Sequence, residues 1–232
     1  MKTIKTNRPR PLLLRIIDTL IESLSVVIFP FIFASKFKIN PLPGYLYVVA
    51  FIALIYIYKD VFLPRNPNKY FDMLFVGIFL ILSILFSIQS GNLLITALVI
   101  MQLLLFISTK LIKDTTPLLT DVIFNFVTPV FLMITLTYSL AKFLSLELII
   151  LILLINTFSL TVNYLDFNYK SLFGLTAVLL LAIIMYITQY ITLANALSMF
   201  ATMLFFVLIK YFYQVKINSC WVRILISLLQ IF

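Results

Sequence analysis

Apolar residues run through this chain in long stretches, broken at intervals by Pro, Gly, Asn and charged positions, and each stretch approaches the roughly 20 residues of a membrane-spanning helix. The breaks predict spans over residues 12–34, 44–60, 70–89, 92–113, 117–140, 143–165, 171–188, 190–212 and a shorter one over 217–232. No repeat of fixed period and no low-complexity segment interrupts the pattern, so residues 1–232 read as a single transmembrane domain. The fold class predicted is all-α: a polytopic integral membrane bundle of about nine transmembrane helices.

Polar residues inside these spans recur at helical spacing. Arg15, Asp18, Glu22 and Ser25 fall on one face of the first span. Asp121, Asn125 and Thr128 do the same in the fifth, and Asn156, Ser159, Asn163, Asp166 and Lys170 form a stripe from the sixth span into the loop after it. An ionised side chain in hydrocarbon costs about 2.5–3.5 kcal/mol on insertion scales, so such residues face a bundle interior or a wet cavity. With Tyr56, Lys59, Asp60 and Asp72 at nearby loop ends, all three stripes lie in the same half of the bundle. They predict a chamber that is polar and charged at one end and apolar above, suited to an amphiphile with a charged head and a hydrocarbon tail. Ion pairs such as Arg15 with Asp18 and Asp166 with Lys170 would equally let helices associate. Asn195, Ser198 and Thr202, and the polar residues of the last span including Arg223, read as helix-packing residues.

Charge then orients the bundle. Lys2, Lys5, Arg8, Arg10, Lys59, Arg65, Lys69, Lys110, Lys113, Lys170, Lys210 and Lys216 fall on the side of the N-terminus, and only Lys36, Lys38 and Lys142 on the other. Excess Lys and Arg marks cytoplasmic loops, so the N-terminus is expected in the cytoplasm. The net charge of +9 is therefore a topology signal, dispersed between apolar runs, and no nucleic-acid partner is expected. At 63% hydrophobic and 11% charged, the chain has too little polar surface for a soluble catalytic domain. The absence of His removes imidazole acid–base chemistry and most zinc sites, and a single cysteine, Cys220, excludes an intrachain disulfide. The first apolar run carries Arg15, Asp18 and Glu22 and lacks a small-residue cleavage site, unlike a signal peptide.

Several loop residues resemble those of the UbiA-type prenyltransferases, nine-helix membrane proteins with an Asp-rich NDxxDxxxD loop after the second helix and a DxxxD loop after the sixth. In LDFNYKSLFGLTAV, Asp166 matches the first Asp of the later motif, Lys170 replaces the second, and Gly174 stands where a Gly commonly follows. In KDVFLPRNPNKYFD, Lys59 and Asp60 look like the Asn-Asp pair and NPNK like the Asn-Pro-rich tail, while Leu63 and Pro67 replace the later Asp residues. STKLIKDTTP resembles the basic stretch after the fourth helix, with Lys113 matching a diphosphate-binding Lys, and RPRP resembles the start of the first helix.

The resemblance implies a UbiA-like fold and a membrane ligand of the polyprenyl or quinone type. It implies Asp60 and Asp166 as Mg²⁺ ligands and Arg10, Arg15, Lys59, Lys113 and Lys170 as diphosphate or headgroup contacts. Asp18, Glu22, Asp121, Asn125, Asn156 and Asn163 would line the cavity. Two Mg²⁺ ions would neutralise a departing diphosphate, yet each loop keeps one motif Asp and sets a Lys beside it or in place of its partner. The favoured expectation is a catalytically degenerate, lipid-binding or accessory subunit of a membrane complex. The alternative is a divergent Mg²⁺-dependent prenyltransferase moving a polyprenyl group to an acceptor. A transporter is a weaker third, because the far half offers almost no polar lining.

Overall fold

The computed structural model describes residues 12–36, 52–57, 59, 69–90, 119, 122–165, 169–213 and 218–229. Among these there is no strand. The principal helices are α1 (Leu12–Lys36), α2 (Lys69–Ser90), α3 (Thr128–Ala141), α4 (Leu146–Asn163), α5 (Tyr169–Ile187), α6 (Leu193–Tyr213) and α7 (Ser219–Leu229). A π-helical turn, Ile123–Val127, runs directly into α3, and residues 52–57 are helical.

Four runs are long and apolar enough to cross a membrane: Leu13–Ser35, Ile123–Ala141, Leu146–Asn163 and Leu193–Tyr213. They match the predicted spans 12–34, 117–140, 143–165 and 190–212. The outer faces of α1 and α6 are greasy; Leu13, Leu20 and Leu24 of α1 and Leu197, Phe200, Leu204 and Leu208 of α6 are all exposed. Contiguous apolar surface of this kind is solvated by lipid tails and not by water. The chain is an all-helical integral membrane protein. Serine and threonine hydroxyls inside the helices turn back onto their own backbone, as Thr135 does to Phe131 O (2.7 Å), Thr137 to Met133 O (2.7 Å) and Ser159 to Ile155 O (2.8 Å). This satisfies the hydroxyl without a neighbouring helix.

Local chemistry explains the ends. Ser145 caps α4, its Oγ accepting from Leu148 N–H at 3.2 Å, and Thr192 Oγ1 accepts from Asn195 N–H at the start of α6. The ends of α3 and α5 are each followed by a left-handed residue, Lys142 (φ 62°) and Gln189 (φ 61°), where glycine is the usual choice.

Helix directions follow from paired contacts. Arg223 bonds both Ser25 on α1 and Asn125 in the π turn. Further along both elements, Phe33 meets Phe143 with ring centroids 6.0 Å apart. The α1 helix and the π–α3 run are therefore parallel. The short link Lys142–Ser145 makes α4 antiparallel to α3. Lys210 near the end of α6 donates to Val162 O and Asn163 O at the end of α4 (both 3.3 Å), so α4 and α6 run together. This Lys also neutralises the negative end of α4.

The core lies where α1, α3, α4 and α7 meet, with Val26, Met133, Leu136, Ile152, Ile155, Val222 and Ile226 all buried. The predicted last span, 217–232, is represented by the 11 residues of α7. At 1.5 Å per residue that is roughly 16 Å, about half the hydrocarbon thickness. It is nonetheless central: α7 packs on α1, α4 and α6.

Candidate functional site

The most buried charge among the described residues is Arg223, at 2% exposure in the middle of α7. Its guanidinium reaches three other elements. Nε donates to Asn156 Oδ1 on α4 (2.8 Å), Nη1 to Ser25 Oγ on α1 (2.8 Å), and Nη2 to the carbonyl of Asn125 (3.1 Å).

Each acceptor is held for the purpose by its own helix. Asn156 directs its Nδ2 to Ile152 O (2.9 Å) and Met133 Sδ (3.3 Å), which leaves Oδ1 toward the guanidinium. Ser25 donates its hydroxyl proton to Glu22 O (2.7 Å), which turns its lone pairs to Nη1. Pro129, near the start of α3, has no N–H to give the carbonyl four residues back, and that carbonyl belongs to Asn125. Arg223 supplies the donor that the proline removes. The π turn sits at this point, as π turns often do where a helix serves a polar contact.

A guanidinium carries five N–H donors, and three are used among the described residues. All three acceptors are neutral. Among the described residues no carboxylate lies within 4.0 Å of Arg223; the ion pair there is Lys59 Nζ to Glu22 Oε2, at 2.6 Å. That pair lies one turn of α1 from Ser25, with Lys59 5.6 Å from the ring centre of Tyr56. Arg15, two turns before Glu22, has a buried Nη1 with no hydrogen-bond partner among the described residues. Two hydroxyls beside the cluster in sequence, Thr128 Oγ1 and Ser227 Oγ, are also buried without one.

The structure thus brings together the predicted stripes of the first, fifth and sixth spans at Ser25, the Asn125 carbonyl and Asn156. Glu22 and Lys59 join them as an ion pair, and Asp18 lies on the same helix toward Arg15. Asn163 lies two turns from Asn156, its carbonyl taken by Lys210. Arg10, Asp60, Lys113, Asp121 and Asp166 lie outside the described residues, and Lys170 is described only by its place in the first turn of α5. No three carboxylate or cysteine groups cluster among the described residues, and the Glu22 carboxylate is engaged by Lys59. The described residues by themselves do not make a Mg²⁺ site.

The sequence pattern marks Arg223 as a helix-packing residue; the structure shows it to be the hub of that packing. Its signal was present: Ser219, Arg223 and Ser227 recur at steps of four, the same spacing that marked the other stripes. At the opposite end of the bundle, Ser145, Glu147, Tyr186, Gln189 and Asn195 contribute to a groove of about 420 Å³. Polar side chains therefore occur at an end that the sequence pattern leaves almost wholly apolar.

Comparison of the chain with family models, with characterised proteins and with solved structures finds no match.

Proposed function

We propose that this chain is a UbiA-like membrane protein that holds the acidic or quinone-type head of a prenyl amphiphile in its cationic half. On this reading it does not transfer the prenyl group and serves as a lipid-binding or accessory subunit of a membrane complex. The observation that carries the reading is the Arg223 guanidinium, buried among four elements with acceptors that are all neutral among the described residues. An intramembrane cation without a countercharge is costly, and a ligand anion removes that cost. Arg15, with its buried open donor on the same helix as Ser25, gives the head a second contact nearer the helix end.

Parity supports the nine-span arrangement. Parallel α1 and α3 require an odd number of crossings between them, and the sequence offers three, at 44–60, 70–89 and 92–113. The Lys and Arg asymmetry puts the start of α1, and with it the N-terminus, in the cytoplasm.

The test uses the detergent-purified protein with geranylgeranyl diphosphate and, separately, a short-chain quinone, followed by thermal unfolding with Mg²⁺ or with EDTA. Saturable stabilisation by at least one of the two that persists in EDTA and weakens about tenfold or more in Arg15→Gln is expected, the loss of a charge-assisted contact. No saturable binding of either ligand would overturn the reading. Mg²⁺-dependent prenyl transfer abolished in both Asp60→Ala and Asp166→Ala would replace it with the prenyltransferase alternative. Native mass spectrometry of the same preparation reports a copurifying subunit.

A further inference from the structure

The groove at the far end has a chemistry of its own. It is enclosed by the last turns of α1, the first turn of α4 and the α5–α6 turn, and its volume of about 420 Å³ falls within the range of small-ligand sites. Phe33, Tyr186 and Tyr190 give it three aromatic side chains from two separate parts of the chain, and Gln189 and Asn195 add amides. Among the described residues Glu147 is the one charged residue in the lining. Its place in the first turn of α4 suits the helix dipole, but among the described residues its carboxylate has no cationic partner within 4.0 Å. The dipole accounts for an acid at this helix end and not for the aromatics gathered round it.

The backbone turn that ends α5 shapes one wall of the groove. Gln189 holds a left-handed conformation at φ 61°, in a turn closed by Gln189 N–H to Tyr186 O (3.0 Å) and Tyr190 N–H to Met185 O (2.9 Å). A glycine would make this turn without the steric cost, and it would leave no side chain in the groove. The side chain of Gln189 thus stands in the groove wall.

We propose that this groove binds a quaternary ammonium group. Aromatic faces attract such a cation through their quadrupoles, and a single carboxylate neutralises it without a strong hydrogen-bond demand that the methylated nitrogen would fail to meet. An anion is disfavoured by Glu147, which distinguishes this groove from the cationic cluster around Arg223. The group arrives on a phosphocholine lipid in the surrounding leaflet or on a small soluble quaternary amine.

The probe is tetramethylammonium chloride, titrated against the full-length protein in maltoside detergent at constant ionic strength, with sodium chloride as the control and thermal unfolding as the readout. Saturable stabilisation is expected, with the midpoint concentration raised about tenfold in Glu147→Gln and several-fold in Tyr190→Leu, the scale of a lost cation–π or charge contact. Both positions are at least partly exposed, so the variants are expected to fold. Repeating the titration in nanodiscs of phosphatidylcholine and of phosphatidylglycerol separates the sources. Stabilisation suppressed only by phosphatidylcholine identifies the lipid head, and stabilisation equal in both identifies a soluble amine. Absence of saturation in detergent, or the same midpoint in the wild type and both variants, would overturn the proposal. Because Arg15→Gln leaves this groove untouched, failure here and failure of the anion reading are separately visible.

Discussion

At the scale of single residues, Arg223 behaves as a pin joining α1, α3, α4 and α7 through neutral acceptors. A lysine keeps the charge but offers one compact ammonium in place of a planar fork, and it cannot serve acceptors on three elements at once. Methionine fills a similar volume and removes the buried charge altogether, at the cost of one donor to Asn156 and one to Asn125. Since a buried charge short of partners is the greater penalty, Arg223→Lys is expected to be the more destabilising of the two, by about 3 kcal/mol or more, a loss on the scale of two charged hydrogen bonds. Reversible unfolding in mixed detergent micelles ranks the variants, and a methionine variant less stable than the lysine one would contradict this account. Thr128 gives the opposite case. Its hydroxyl is buried with no partner among the described residues, so Thr128→Val, which swaps that hydroxyl for a methyl, should leave stability unchanged or raise it by about 1 kcal/mol. The same micelle assay reads it.

At the scale of elements, the π turn and Pro129 form a unit with α7. Pro129→Ala restores a backbone donor four residues after Asn125, and this donor competes with Arg223 for one carbonyl. The effects of Pro129→Ala and Arg223→Met should therefore be non-additive, with a coupling of about 1 kcal/mol in a double-mutant cycle; strict additivity would show that the proline and the arginine do not share the acceptor. The end of α3 offers a simpler case. Lys142, exposed and left-handed at φ 62°, should gain about 0.5–1 kcal/mol on replacement by glycine, less a few tenths for the cation lost beside a helix C-terminus. These elements also show what the chain made legible. The spans of α1, α3, α4 and α6 can be read from apolar length alone, because hydrocarbon demands it. Ser25, Asn125 and Asn156 can be read as convergent, because their spacing keeps each stripe on one face. The role of α7 was hidden. Eleven residues fall short of a span, and the steps Ser219, Arg223 and Ser227 look like packing until the partner helices are known. Glu147 and Tyr190 are some forty residues apart, and no local pattern announces that they share a groove.

At the scale of the molecule, the helix directions turn the charge asymmetry into a map of sides. The parallel pair α1 and α3, and the pair α4 and α6 that runs antiparallel to it, put Lys142 and Thr192 at one end. Tyr213, next to the Lys210 that caps α4, lies at the other end, with Arg15 and the N-terminal half of α1. On the orientation proposed from the basic excess this second end faces the cytoplasm, which would put the cationic cluster within reach of an acidic head entering from that leaflet and the acidic groove at the opposite face. The natural cysteine does not obscure a labelling test, because Cys220 is buried at 1% exposure. Single substitutions Lys142→Cys, Thr192→Cys and Tyr213→Cys, all at exposed positions, should then divide cleanly with a membrane-impermeant maleimide. In intact cells the first two are expected to label and the third to label only after the membrane is opened. The reverse pattern would invert the protein and set the Arg223 cluster toward the outside, away from the leaflet from which the proposed ligand would enter. Labelling of Lys142→Cys and Tyr213→Cys from the same side would go further, since it would break the antiparallel order from which the depth of the whole site is argued.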